Sequence, residues 1–159
     1  MIDKNDYDFI IKFDSNNSAE RQRILTSPTE KLECIKTLMT IMNKVSKEST
    51  LQYTATLIDD LLQENKTRVE LFHLYSRKYK ENIYNSFIAR LVLQDNFLVN
   101  QISRIITKLA CWSNELMPDK ELKDYFMWVK NQIEEKVITD LYFYILKTNM
   151  LIKQFKESL

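Results

Sequence analysis

Asp59 and Asp60 stand side by side, and Glu64 follows four positions later, within the stretch LIDDLLQENKTRVELF. Carboxylates in such groups can exchange protons, grip a cation, or face water on the outside of a helix. Neighbouring helical residues point about 100° apart, so the two aspartates do not converge on one site. Asp60 and Glu64 do share a face, where like charges repel slightly. The spacing brings no further ligand or proton partner to them. They read as an acidic, solvent-facing edge and a candidate partner surface, with a metal or acid–base pair as the weaker reading.

The other chemistry-bearing residues are scattered. His73 is the sole histidine, flanked by Val69, Phe72 and Leu74, with no acid placed by sequence to orient its ring. A nucleophile activated by that histidine would need such positioning, so His73 reads as a helix-face residue without catalytic use. Trp112, Trp128 and Phe126 fall at helical spacings and read as core. A base-stacking platform would also need a basic groove, and the net charge is only +1. That charge gives no bulk attraction to nucleic acid. The run Arg77-Lys78-Tyr79-Lys80 reads as a solvated helix end, with a phosphate contact as the alternative. Cys34 and Cys111 lie far apart, in no metal-ligand spacing, and read as buried reduced thiols. No catalytic, metal, cofactor or small-molecule substrate site is assembled.

The elements that must position these residues are helical. The chain has 159 residues, 45% apolar and 28% charged, which suits one folded domain or one segment of a longer array. It contains no glycine and two prolines. Without glycine, phosphate-cradling loops and tight hairpins are disfavoured. The N-terminal MIDKNDYDF is polar and acidic, unlike a secretory leader.

Short helices are expected near residues 7–13 and 18–26. Ser27-Pro28-Thr29-Glu30 has the form of a capping box and opens a helix carrying Leu32, Ile35, Met39 and Met42 on one face. The next runs from about 49 to 64 with Leu51, Ala55, Ile58 and Leu62 inward, and Asn65 is the expected left-handed cap. Thr67-Arg68-Val69-Glu70 reads as a second capping box opening another, a shorter one covers about 81–93, and Asp95 caps the longest, expected to reach Met117. Its stripe is Leu98, Ile102, Ile105, Leu109, Trp112 and Leu116. Pro118-Asp119 starts a helix with Leu122, Phe126, Val129 and Ile133 inward. The tail from Val137, VITDLYFYILKTNMLIKQF, is apolar on most sides yet holds Asp140 and Lys147. It falls short of the ~18 apolar residues of a membrane span and reads as a packed terminal helix.

The expected fold is all-α, an armadillo- or HEAT-like superhelix of about eight or nine helices, because short links join the helices; no clear sequence repeat is present, and the same lengths and links also suit an irregular helical bundle. Residues 1–136 form the superhelical segment and 137–159 a divergent C-terminal helix. Such stacks work by presenting a long surface to a partner.

Two stretches carry a resemblance. STLQYTATLIDDLLQENKTRVELF resembles part of the H subunit of the vacuolar proton-pumping V-type ATPase, through Thr50, Gln52-Tyr53, Asp59-Asp60, Leu62-Gln63-Glu64-Asn65 and Arg68-Val69. LQDNFLVNQISRIITKLACWSNELM is similar to the same family through Gln94-Asp95, Phe97, Arg104-Ile105-Ile106, Lys108-Leu109-Ala110, Trp112 and Glu115-Leu116, and DYFMWVKNQI continues it. The likeness covers roughly residues 6–132, and Asn96 stands where the family pattern has proline.

The resemblance implies a non-catalytic regulatory subunit, with a large N-terminal helical superhelix and a smaller C-terminal domain, on the cytosolic face of vacuolar, endosomal or lysosomal membranes. It implies support of ATP-driven proton transport, silencing of ATP hydrolysis by a detached peripheral sector, and docking of the N-terminal part on the E and G subunits of the peripheral stalk. Membrane contact would then come only through the complex. Family members are considerably longer, and the C-terminal domain largely carries the silencing. On this reading Asp59, Asp60 and Glu64, with Arg104 and Lys108, are the candidate docking surface. The alternative is a free-standing helical adaptor of membrane traffic, with Arg77, Lys78 and Lys80 on phosphoinositide headgroups.

Overall fold

The computed structural model describes residues 4–15 and 18–134. These form α1 (Lys4–Ser15), α2 (Ser18–Thr26), α3 (Glu30–Lys44), α4 (Glu48–Glu64), a 3-10 turn (Lys66–Arg68), α5 (Val69–Tyr79), α6 (Ile83–Ile88), α7 (Asn96–Trp112) and α8 (Asp119–Glu134). No strand occurs among the described residues. The helix expected over 137–159 lies outside them.

Some starts obey the side-chain chemistry of the sequence, but α5 opens at Val69 with no side-chain cap, because the Thr67 hydroxyl, expected to cap it, donates to Asn65 instead. Asp95 accepts the Leu98 amide at 3.1 Å and caps α7. The Ser27 hydroxyl accepts the Glu30 amide at 3.4 Å ahead of α3, while the Glu30 carboxylate is held by Arg23 at 2.9 and 3.3 Å. Asn82 caps α6 and accepts the Tyr84 amide at 3.0 Å, a start that no periodic stripe announces.

Three further expectations need correcting. Asn65 is extended, at φ −152° and ψ 110°. Its side chain accepts the Thr67 amide at 3.0 Å, so it opens the 3-10 turn instead of closing α4 in a left-handed conformation. The left-handed residue is Lys80, at φ 55° and ψ 36°, ending α5. The helix expected over 81–93 stops at Ile88 and continues as turns. And α7 ends at Trp112, short of Met117, so Leu116 leaves the inward stripe and is 47% exposed.

Helix ends are where a glycine-free chain has most to solve, because the last four carbonyls of a helix lack intrahelical donors. Arginine side chains supply the donors here. Arg21 donates to Phe13 O at 3.1 Å, near the end of α1. Arg68 donates to Leu61 O at 2.9 Å, in the last turn of α4. Arg90 donates to the carbonyls of Met42, Asn43 and Val45 at 2.9–3.3 Å, closing α3.

The core is one cluster, from Ile10 on α1 through Leu38 and Met42 on α3, Ile58 on α4 and Phe72 on α5 to Ile102, Ile106 and Tyr125. Helix α3 packs against α6, and α4 against α7, so these two helices each meet the one three places later. Gln52 reaches Asp95 near the starts of α4 and α7, and Asp59 reaches Lys108 further along both. The two helices therefore run parallel. Stacking of α3 on α6 and of α4 on α7 fits the connectivity of a helical-repeat superhelix.

Candidate functional site

The two helices bearing the acidic pair and its basic counterparts, α4 and α7, lie against each other. Asp59 is buried, at 2% exposure, and Lys108 is fully buried. Their charged ends meet at 2.6 Å, and the Lys108 ammonium also donates to the Asp59 carbonyl at 3.2 Å. Arg104 takes the other carboxylate oxygen at 2.9 Å. Trp112 completes the cluster, with the Lys108 ammonium 5.6 Å and the Lys66 ammonium 5.1 Å from its ring centre. Burial pushes the Lys108 ammonium down from the ordinary lysine range, and the Asp59 carboxylate opposes that shift.

This arrangement corrects the surface reading for two of its five residues. Asp59 and Lys108 face each other across a buried helix–helix contact and are not available to a partner. The reason is the parallel stack: a residue on the outer edge of α4 alone becomes interior once α7 is laid beside it. Asp60 and Glu64 are exposed, as expected, and Arg104 keeps 42% of its side chain in water. Glu64 pairs with Arg68 at 2.7 Å, and Arg68 also takes the Gln22 side-chain oxygen at 2.7 Å, tying α4 to α2. With both Asp59 oxygens occupied by cations and Asp60 turned to solvent, the pair does not act as one acid–base unit. Among the described residues no group of three metal-binding side chains comes together.

The basic run sits at the end of α5, with Arg77, Lys78 and Lys80 exposed. A helix C-terminus favours cations of its own and repels an anion. Arg77 is moreover paired with Glu115, and the Lys78 ammonium lies 5.4 Å from the Tyr79 ring centre. His73 is buried, with Nδ1 3.6 Å from a Glu115 oxygen. No local pattern signals that carboxylate, because it arrives from the α7–α8 loop. Cys34 is buried, its thiol pushed up to about 12 by burial despite the nearby Arg68 charge. Cys111 is half-buried.

A family profile describing the H subunit of the V-ATPase matches residues 1–158. The chain belongs to that family. The match runs on past residue 136, through the segment that looks divergent in the sequence. The chain is similar to the probable H subunit 2 of the V-type proton ATPase of Caenorhabditis elegans, with 38% identity over 141 residues. Those residues are 88% of this chain and 30% of that protein. It is also similar to the H subunit of the V-type proton ATPase of Drosophila melanogaster, with 40% identity over 133 residues, 84% of this chain and 27% of that one. The chain thus spans less than a third of the length of either relative.

The family resemblance has a structural meaning. Its two sequence stretches are chiefly α4 and α7, and the residues that bond across them come from both: Gln52 with Asp95, and Asp59 with Arg104 and Lys108. In this member of the V-ATPase H-subunit family these residues tie α4 to α7. Tyr125, in the stretch that continues the resemblance, adds a second tie. Its hydroxyl is 2.5 Å from the Ser103 hydroxyl and 3.1 Å from that of Thr107, fixing α8 to α7.

Proposed function

We propose that the chain is a non-catalytic, regulatory and structural part of the V-type proton ATPase, supporting ATP-driven proton transport by docking on other subunits of the peripheral sector. The observation that carries this is the family match over residues 1–158. The all-helical stack is consistent with it, because a superhelix acts through its outer surface. No described helix is long and apolar enough to cross a membrane. Membrane association on this reading comes through the complex, at the cytosolic face of vacuolar, endosomal or lysosomal membranes.

At finer grain, the proposed partners are the E and G subunits of the peripheral stalk, and the proposed docking edge is Asp60, Glu64 and the exposed part of Arg104. Residues 1–136 are the proposed superhelical segment. Affinity at such an edge arises from a few anchors and charge complementarity. A pull-down with a purified E–G heterodimer tests the reading. Retention at micromolar concentration, weakened by Asp60→Lys with Glu64→Lys, is the expected result. No retention by the unaltered chain overturns the choice of partner.

A further inference from the structure

The loop between α7 and α8 is held to α5 by two carboxylates working in opposite directions. Glu70, near the start of α5, accepts the Ser113 hydroxyl and the Asn114 amide of the loop, each at 3.2 Å. Glu115, on the loop, reaches back to α5 and divides its oxygens: Oε1 goes to Arg77, and Oε2 faces His73 Nδ1 at 3.6 Å. His73 is the only histidine in the chain and is 4% exposed. It nevertheless lines an open cleft of about 280 Å³, shared with Ser76, Lys80, Glu81, Tyr84 and Glu115, so protons can reach the ring.

We propose that His73, Glu115 and Arg77 form a proton-responsive latch that tightens the α7–α8 loop onto α5 as pH falls through the range in which histidine titrates. The inference goes beyond the docking reading and does not depend on it. When the imidazole is neutral, Arg77 alone of the two supplies a cation to Glu115. When Nδ1 is protonated, each oxygen of the carboxylate meets its own cation, and the loop gains an ion pair to a buried ring. Histidine is the side chain whose ordinary titration spans pH 5 to 8.

The surroundings determine how strongly the latch responds. Glu115 favours the charged ring, while burial and the Arg77 charge oppose it. On α5 itself lie Glu70, Arg77 and Lys78, with Lys78 against the Tyr79 ring, and Tyr75, whose hydroxyl donates to Glu81; Lys80 and Glu81 follow in the turn. Helix α6 contributes the Tyr84 ring, edge-on with centres 6.1 Å apart, and no charged residue. Helix α7 contributes Cys111, Lys108 and Arg104, of which both cations are committed to Asp59. From α3, the acids Glu30 and Glu33 are held by Arg23 and Lys36.

The test uses the full 159-residue chain. Imidazole proton resonances would be followed by NMR from pH 8 to 5, and amide hydrogen exchange of residues 113–117 compared at pH 7.5 and 5.8 after correction for intrinsic rates. The expected result is a titrating ring and about 3- to 10-fold greater loop protection at the lower pH. Glu115→Gln should abolish that gain, and it keeps the size and the acceptor oxygen of a half-exposed side chain. Arg77→Gln leaves Glu115 to His73, so the ring should then titrate at higher pH than in the parent. A ring that does not titrate in this range overturns the proposal, as does loop protection that changes equally in Glu115→Gln. An Arg77→Gln titration that does not move overturns the shared carboxylate.

Discussion

Asp59 on α4 and Lys108 on α7 meet at 2.6 Å with both side chains out of water, so the most conspicuous acidic pair in the chain is half structural. The buried Lys108 charge is tolerable only because Asp59 is present, whereas Asp59 keeps Arg104 when Lys108 is removed. Stranding a buried charge typically costs about 3–5 kcal/mol. Asp59→Leu, which strands Lys108, should destabilise by that order in urea unfolding, and Lys108→Met by less. The double substitution should recover most of the loss, because an apolar pair of similar volume removes both desolvation penalties. A double variant no better than the worse single would show that the ion pair itself holds α4 and α7 in register.

Arg90 carries a second prediction. Its guanidinium serves three carbonyls at the end of α3, one of them also through Nε at 3.2 Å. Arg90→Ala should cost about 1–3 kcal/mol, the range for leaving partly buried acceptors unpaired. Arg90→Lys should rescue little, since one ammonium cannot reproduce a planar fork of donors. Chemical denaturation of both variants, compared with the parent, measures the difference directly.

How much of this is legible in the sequence follows from distance along the chain. The starts at Asp95 and Ser27 can be read because cap and amide lie three residues apart. The inward stripes of α3, α4 and most of α7 follow a local period. Asn65 misleads because extended and left-handed conformations both suit asparagine, and the deciding bond belongs to the next turn. Burial of Asp59 and Lys108 is invisible because their separation is 49 positions and the parallel stacking of α4 and α7 has no local signature. The same holds for Arg90 over α3 and for Glu115 beside His73. Proposed docking residues stay closest to their sequence expectation where they project from a single helix, as Asp60 and Glu64 do.

Asp95 ties capping to pH. Burial acts to raise its carboxyl, but the Gln52 amide and the Leu98 backbone N–H outweigh it and hold the carboxyl below the usual range. A carboxyl whose folded value is depressed stabilises the protein above its unfolded value, about 3.9, and loses that contribution as pH falls through the folded value. Asp95→Asn keeps the capping oxygen and removes the charge. Its stability deficit against the parent should be constant near neutrality and shrink below about pH 4. Asp95→Ala removes the cap as well and should cost about 1 kcal/mol. A deficit for Asp95→Asn that is unchanged down to about pH 2.5, well below the ordinary carboxyl range, would show in urea midpoints that the charge contributes nothing.

The neighbouring residue offers a gain. Asn96 is the first residue of α7 and stands where the resembled pattern has proline. The first rung of the helix is Val99 N–H to Asp95 O at 2.9 Å, so the Asn96 amide lies outside the ladder and its loss breaks no helical bond. Asp95 has φ −92° and ψ 99°, close to the extended region that a following proline requires. Asn96→Pro therefore restricts the unfolded chain without straining the folded one, and should stabilise by about 0.4–1 kcal/mol. Urea midpoints at unchanged slope would register the gain. A loss in its place would mean that the Asn96 amide or side chain makes a bond the helix start depends on, and that the cap at Asp95 cannot be rigidified from the proline side.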